Sequence, residues 1–236
     1  MQSLLLFTFL FANVFAAPFR PFKAPRVSHT PGGGVSGKAT RAENGTVEAD
    51  ALTKQLLAIA PNTTTCEGAK YPDECRTAAE AAQPILDSFA TYALDSTNEQ
   101  AAVVSLMLYE SGEFKYNWGH FVAGETVHTP GKGTRNMQSA AFNGLYARAL
   151  FGDEKVDAAN ATGGADGVLE LVSPDGPSFG SAAWFLTSQC NSTVREGVQS
   201  GTQDGWAIYI TDCIGTTVDD GRIDYWTKAK KALGAQ

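Results

Sequence analysis

The chain has 236 residues, 18 Lys and Arg against 25 Asp and Glu, and a formal charge of −7. The acidity is concentrated in residues 49–236, where thirteen cations face twenty-three carboxylates, a formal −10 that argues against nucleic acid as a partner. Beyond the N-terminal stretch no apolar run approaches the length of a membrane span, so no membrane partner is expected.

Residues 4–16 form a short apolar core ending in Val14-Phe15-Ala16, which fits the small-residue cleavage rule. Residues 1–16 therefore read as a signal peptide cut after Ala16, and the protein as secreted and extracellular. Residues 17–48 contain Pro18, Pro21, Pro25 and Pro31, the run Gly32-Gly33-Gly34 and few aliphatics, with five cations against two carboxylates. Such a composition cannot build a core and reads as a linker or propeptide. Residues 49–236 are of ordinary size for one domain.

Within that domain the apolar spacing predicts a mainly α fold. A helix over Glu48–Ala60 places Leu52, Leu56, Leu57 and Ala60 on one face. An Ala-rich helix follows over Asp73–Leu94, with Pro84 as a kink or break. Ser96-Thr-Asn-Glu99 has capping-box spacing and opens a helix running to Glu110. Lys115–Thr134 reads as an irregular or short β patch. Met137–Phe151 is helical, with Phe142, Leu145, Tyr146 and Leu150 inward, and Asp153–Gly167 is a surface loop. Phe179–Cys190 is a second buried helix through Ala182, Ala183, Trp184, Phe185 and Leu186. Asp204–Cys213 is ambiguous between helix and strand, and Asp219–Leu233 is a last helix through Ile223, Trp226, Ala229 and Leu233. Lys228, Lys230 and Lys231 near its end read as a solvated face. The expected architecture is thus a helical domain whose small irregular or β patch lines a cleft for an extended ligand.

The four cysteines, Cys66, Cys75, Cys190 and Cys213, follow a leader in even number and imply disulfides. Cys66–Cys75 and Cys190–Cys213 each close a short loop and are favoured over the two other pairings. No histidine stands near enough in sequence to favour zinc, and no cofactor or metal is expected. Sequons at Asn44, Asn62, Asn160 and Asn191 fit a glycoprotein. A monomer is expected.

The chemistry concentrates where Ala101–Tyr109, apolar except for Ser105, meets Glu110-Ser111-Gly112. A helix apolar on all sides lies inside a domain, and Gly112 can end it in the left-handed conformation. Glu110 then sits at a negative helix end, partly buried, and both effects oppose ionisation. A carboxyl holding its proton there can protonate a leaving-group oxygen. Ser111 lacks the strand–turn–helix setting of a nucleophile. A second carboxylate, which glycoside hydrolysis usually needs, is open among Glu113, Glu125, Asp175 and Asp204. Arg135 has a fork suited to a carboxylate but equally suits an internal ion pair. Tyr116 and Trp118 are candidates for sugar stacking or for buried packing, and His120 and His128 for metal binding, proton shuttling or neither.

The order of a buried helix, Glu-Ser, a loop and a Gly-containing segment ending Met-Gln resembles the lysozyme superfamily, especially goose-type lysozymes and soluble lytic transglycosylases. Tyr109-Glu-Ser-Gly-Glu-Phe-Lys-Tyr-Asn117, Gly133-Thr-Arg-Asn-Met-Gln-Ser139 and Phe179-Gly-Ser-Ala-Ala-Trp-Phe-Leu186 resemble a narrower group, secreted fungal muramidases of a lysozyme-like glycoside hydrolase family. The resemblance covers about residues 50–236. It implies that Glu110 is the catalytic acid, that Asn136 and Gln138 are polar groups of the cleft, and that Tyr116 and Asn117 join them. The loop Trp118–Lys132 is longer than that pattern, the Ala-Tyr-Asn motif of the transglycosylases is missing, and no wall-binding module accompanies the domain. The implied partner is peptidoglycan or a related cell-wall polysaccharide. Because an acidic domain attracts cationic chitosan and repels an anionic wall, a chitosanase or chitin-directed hydrolase on the same scaffold stays open. So does a secreted protein that binds wall glycan without cleaving it.

Overall fold

Two helices with small or apolar side chains on every side set the architecture, and the remaining helices wrap them. The computed structural model describes residues 37–120 and 128–236, with side chains from Gly45 onward. The leader, its cut after Ala16, most of the segment 17–48, the side chain of Asn44, and Glu125 lie outside the described residues.

Among the described residues the chain is mainly α. The elements are α1 (Gly37–Ile59), a 3-10 turn (Pro61–Thr64), α2 (Ala78–Tyr92), α3 (Thr97–Glu110), α4 (Ala140–Phe151), α5 (Asp153–Val172), α6 (Asp175–Ser188), α7 (Ser192–Gln199), α8 (Gln203–Ile208), a π-helical turn (Tyr209–Ile214) and α9 (Asp220–Leu233). The β patch consists of two isolated antiparallel bridges, Trp118 with Gly133 and Gly133 with Gln138. The expected fold class is therefore found, with its strands reduced to single bridges.

Central helix α3 buries Ala101 through Leu108 without a break, and α6 buries Ser178 through Leu186. α9 and α7 pack on α3, α2 packs on α6, and α1 closes the bundle against α2 and α9. A main core follows, from Leu52, Leu56 and Ile59 through the α3 residues to Trp206, Tyr209, Trp226 and Ala229. A second cluster, with Tyr146, Val156, Leu169, Val172, Trp184 and Phe185, joins α4 and α5 to the other side of α6. Partly buried Tyr92, Cys190, Cys213 and Ile214 touch both clusters.

Several expectations change. The last twelve residues of the presumed linker form the first half of α1. Between Gly45 and Ala51 none of them is buried, and Val47 is 66% exposed, so the core begins at Leu52. The loop expected over Asp153–Gly167 is helical. Its Gly and Ala content hid a helix that is kinked at Gly164 (φ 60°, ψ −148°) and anchored by Val156, Val168, Leu169 and Val172. α4 starts at Ala140, not Met137, and turns Asn143, Tyr146 and Ala147 inward. Leu145 and Leu150 stay 51% and 40% exposed, because hydrogen bonds from Tyr146 to the Pro177 carbonyl and from Asn143 to Gly131 fix the rotation of the helix. α2 runs through Pro84. Asp204–Cys213 resolves into α8 and the π turn. Lys230 is not merely solvated; it donates to the Gly201 carbonyl and lies over the Trp226 ring.

Capping also moves. Ser96 precedes α3 but makes no side-chain cap, and the capping box stands instead at Thr77 and Glu80 of α2. Glu99 is 1% exposed and pairs with Arg195 at 2.5 Å, which also donates to the Ala93 carbonyl. The disulfides are Cys66–Cys75 and Cys190–Cys213, the pairing favoured by loop length. Asn62, Asn160 and Asn191 are exposed; the Asn191 oxygen caps α7 through the Val194 amide. Removing one member of a buried pair strands the other. Arg195→Ala is therefore expected to lower unfolding free energy by about 3 kcal/mol in urea titrations, far beyond the loss of about 1 kcal/mol or less typical of a surface pair.

Candidate functional site

Glu110 lies at the mouth of a cleft. As the last residue of α3, it ends a helix that the main core holds rigid. Ser111 terminates that helix. Its hydroxyl donates to the Met107 carbonyl (2.6 Å) and accepts from the Phe114 amide (2.9 Å), and it is fully buried. Gly112, Glu113 and Phe114 then follow one another in the left-handed region (φ 57°, 60° and 63°). Gly112 is expected there; two successive non-glycine residues are strained by roughly 1–2 kcal/mol each, and such strain clusters at functional sites. The turn carries the chain sharply away and leaves the end of α3 open.

A cleft of about 350 Å³ opens beside it. Glu110 and Arg222 form one side, the stretch Lys132 and Asn136–Ser139 the second, and Phe142, Phe185, Ile214 and Thr216 the rest. Among its described lining residues Glu110 is the one carboxylate. The second wall is built by close backbone approach. Gly133 bridges to Trp118 and to Gln138, and a Cβ there would come within 2.6 Å of the Asn117 carbonyl. Thr134 (φ 65°) and Met137 (φ 49°) take left-handed backbone, held by Thr134 N–H to the Asn117 carbonyl and Met137 N–H to the Thr134 carbonyl.

Side-chain amides complete this wall in one relay. Thr134 and Ser181 donate to Asn136 Oδ1, Asn136 donates to Gln138, Gln138 to Asn143, and Asn143 to the Gly131 carbonyl. Asn136 and Gln138 are 7% and 6% exposed, so each presents a narrow, oriented edge to the cleft. A relay satisfied within the protein holds its geometry before a ligand arrives.

The principal residue that sequence reasoning missed is Arg222. Its guanidinium, 9% exposed, brings Nη1 within 2.6 Å of Glu110 Oε1, off the ideal hydrogen-bond direction, and stacks over the Tyr109 ring at 4.2 Å. Asp219 caps α9 by accepting the Arg222 amide, accepts the Tyr109 hydroxyl, and lies 3.4 Å from Arg222 Nε. Arg222 thus sets a cation against Glu110 that helix end and burial alone did not foretell. Ile223 and Trp226 had marked α9 as a helix, but nothing in the sequence tied its first turn to the end of α3.

The remaining candidates fall elsewhere. Arg135 is fully buried; it donates to the carbonyls of Phe114, Tyr116 and Glu74 and lies over Phe179, and burial lowers its pKa to about 10. It ties the strained turn to the wall and does not line the cleft. Asn117 is buried as well, donating to the Ser173 carbonyl and accepting from Ser178. Tyr116 packs edge-on against Tyr71, outside the cleft lining. Trp118 meets His128 edge-on and packs on the second core, and Trp184 is core. His120 pairs with Glu74 and stacks on Tyr71, while His128 pairs with Asp166. Among the described residues no group of three or more His, Cys, Asp or Glu is placed to hold a metal ion. Of the second-carboxylate candidates, Glu113 accepts the Tyr225 hydroxyl, Asp175 pairs with Arg76, and Asp204 is exposed in the first turn of α8.

No protein-family model matches the chain, and no solved structure matches it significantly. One curated protein, a bifunctional dioxygenase–epoxy alcohol synthase of Fusarium oxysporum (strain Fo5176), is 34% identical over 176 residues. The match covers 72% of this chain but 13% of that enzyme, so the chain spans a small part of its relative's length.

The Asp219 cap has a pH signature. Hydrogen bonding from the Arg222 amide, aided by the Tyr109 hydroxyl, holds its carboxyl below the usual range. A lowered folded-state pKa stabilises the protein above the unfolded value of about 4 and stops doing so as pH falls through the folded value. Asp219→Asn is therefore expected to be less stable than wild type by a constant margin at neutral pH, and the margin should shrink below about pH 4. Thermal midpoints across pH 2–8 check this; a margin that widened in acid would contradict it.

Proposed function

We propose that this chain is a secreted glycoside hydrolase that cleaves β-1,4 linkages of peptidoglycan, a lysozyme-like muramidase with Glu110 as its general acid. The observation that carries the reading is the placement of Glu110: a lone carboxyl among the described cleft residues, at the end of a helix buried from Ala101 through Leu108, beside a preorganised amide wall. Glu110 of the Glu-Ser pair lines the same cleft as Met137 and Gln138. Two disulfides and exposed sequons support an extracellular setting.

In this reading the glycan lies along the cleft with its scissile oxygen at Glu110. The carboxyl gives its proton to that oxygen as the bond to the anomeric carbon breaks. The carboxylate left behind is stabilised by Arg222, which is already in place and needs no reorganisation. Asn136 and Gln138, fixed by their relay, orient the sugar. Phe142 and Phe185, which meet edge to face at 4.7 Å, supply an apolar floor. The carbocation-like centre is then closed by water, giving a reducing end, or by an internal hydroxyl, giving an anhydro end, and the attacking oxygen's proton passes to the Glu110 carboxylate, which restores the acid.

The relative's named activities are those of a far longer enzyme. Oxygen chemistry draws on a bound redox group. The described lining of this cleft includes no histidine or cysteine to ligate one, and all four cysteines are in disulfides. The glycosidase reading is the one these side chains support.

Digestion of purified peptidoglycan with wild type and Glu110→Gln, followed by mass analysis of the products, tests it. Wild type is expected to release reducing or anhydro muramic ends, and Glu110→Gln to lose at least about a hundredfold in rate, the scale of a lost general acid. Near-normal cleavage by a correctly folded Glu110→Gln protein would refute the assignment. Arg222→Met is expected to lose at least about tenfold in kcat with little change in KM, since its partner charge develops during the reaction.

A further inference from the structure

The domain is strongly acidic, yet its cleft is not. Of the described lining residues, two are cations, Lys132 and Arg222, and one is a carboxylate, Glu110. Arg222 has Asp219 as a charge partner and touches Glu110. Lys132 has no ion pair among the described residues. Asp166, the nearby acid of α5, is engaged by the Gly131 amide and by His128 instead.

Lys132 is nonetheless well placed. Its main chain is fixed on both sides, its carbonyl accepting the Gly119 amide and its own amide donating to Thr129. Its aliphatic stem runs over Gly119, where a Cβ would come within 2.9 Å of Lys132 Cγ, so the missing side chain at residue 119 makes room for the stem. Lysine covers apolar surface with its stem and leaves the ammonium wet. Lys132 is half-buried and lines the same cleft as Asn136, Gln138 and Glu110.

We propose that Lys132 determines specificity by pairing with a carboxylate carried on the sugar, so that the cleft selects an acidic glycan over a neutral or cationic one despite the charge of the domain. A carboxylate entering this wall meets an ammonium that no described residue pairs, whereas an amino sugar is repelled by it. This inference rests on the glycosidase reading and narrows its substrate: muramic acid whose lactyl group bears no stem peptide carries such a carboxylate, and chitosan carries the opposite charge.

The test uses the full chain with Glu110→Gln, which holds glycan without turning it over, alone and combined with Lys132→Gln or Lys132→Arg. Binding is measured by calorimetry to three ligands: a GlcNAc–MurNAc tetrasaccharide with free lactyl carboxylates, the same tetrasaccharide with those groups amidated, and a glucosamine tetramer. All arms share the Arg222 environment, so differences between them report Lys132. The acidic ligand is expected to bind about tenfold more tightly than its amidated twin. Lys132→Gln should abolish that preference while leaving affinity for the amidated ligand unchanged, and Lys132→Arg should restore it. A preference that survives Lys132→Gln, an equal loss for both muramyl ligands, or tighter binding of the glucosamine tetramer overturns the proposal while leaving a glycan-binding cleft. Failure of all three ligands to bind the folded protein overturns the glycosidase reading and this proposal together.

Discussion

A buried guanidinium needs partners for its charge and its N–H groups, and the site grows from the way this chain partners Arg222. Arg222 sits in the first turn of α9, sandwiched against Tyr109, with Asp219 behind it and Glu110 in front. Those contacts tie the end of α3 to the start of α9, the two elements that share the main core most extensively. The catalytic candidate is therefore a member of a charge cluster that crosses the bundle. Its position is set by packing over the length of two helices, and its electrostatics by a partner over a hundred residues away in sequence.

The opposite wall solves a different problem. Its backbone turns back on itself at Gly131–Gln138 with little regular secondary structure, so its polar groups find other partners. Arg135 takes up three carbonyls from beneath, while the amide relay from Thr134 to Asn143 fixes the upper edge. The left-handed conformations of Thr134 and Met137 persist because these bonds over-determine the chain there. The cleft thus lies between a hydrophobically rigid helix end and a wall made rigid by hydrogen bonds.

The sequence revealed the parts of this arrangement that rest on local signals. The apolar run Ala101–Leu108 marked α3 as buried, Gly112 marked its end, and loop length favoured the disulfide pairing that the structure shows. Signals that depend on distant partners misled. Ser96 and Glu99 have the spacing of a capping box, yet Glu99 turns inward to Arg195, whose position no local pattern encodes. Leu145 and Leu150 have the spacing of a core face, but Tyr146 and Asn143 rotate α4 by finding buried carbonyls. Arg135 is a guanidinium beside two amides in sequence, and only the fold shows that it points beneath the wall. α5 was hidden because glycine and alanine carry little periodic signal.

The Cys190–Cys213 bond joins the end of α6 to the π turn just before Ile214 and Thr216, which form part of the cleft. That rim of the groove is thereby anchored covalently to the centre of the bundle, whereas the rims bearing Lys132 and Arg222 rely on non-covalent contacts. Ile214 also packs against both hydrophobic clusters, so this rim is held twice over, by a covalent bond and by burial.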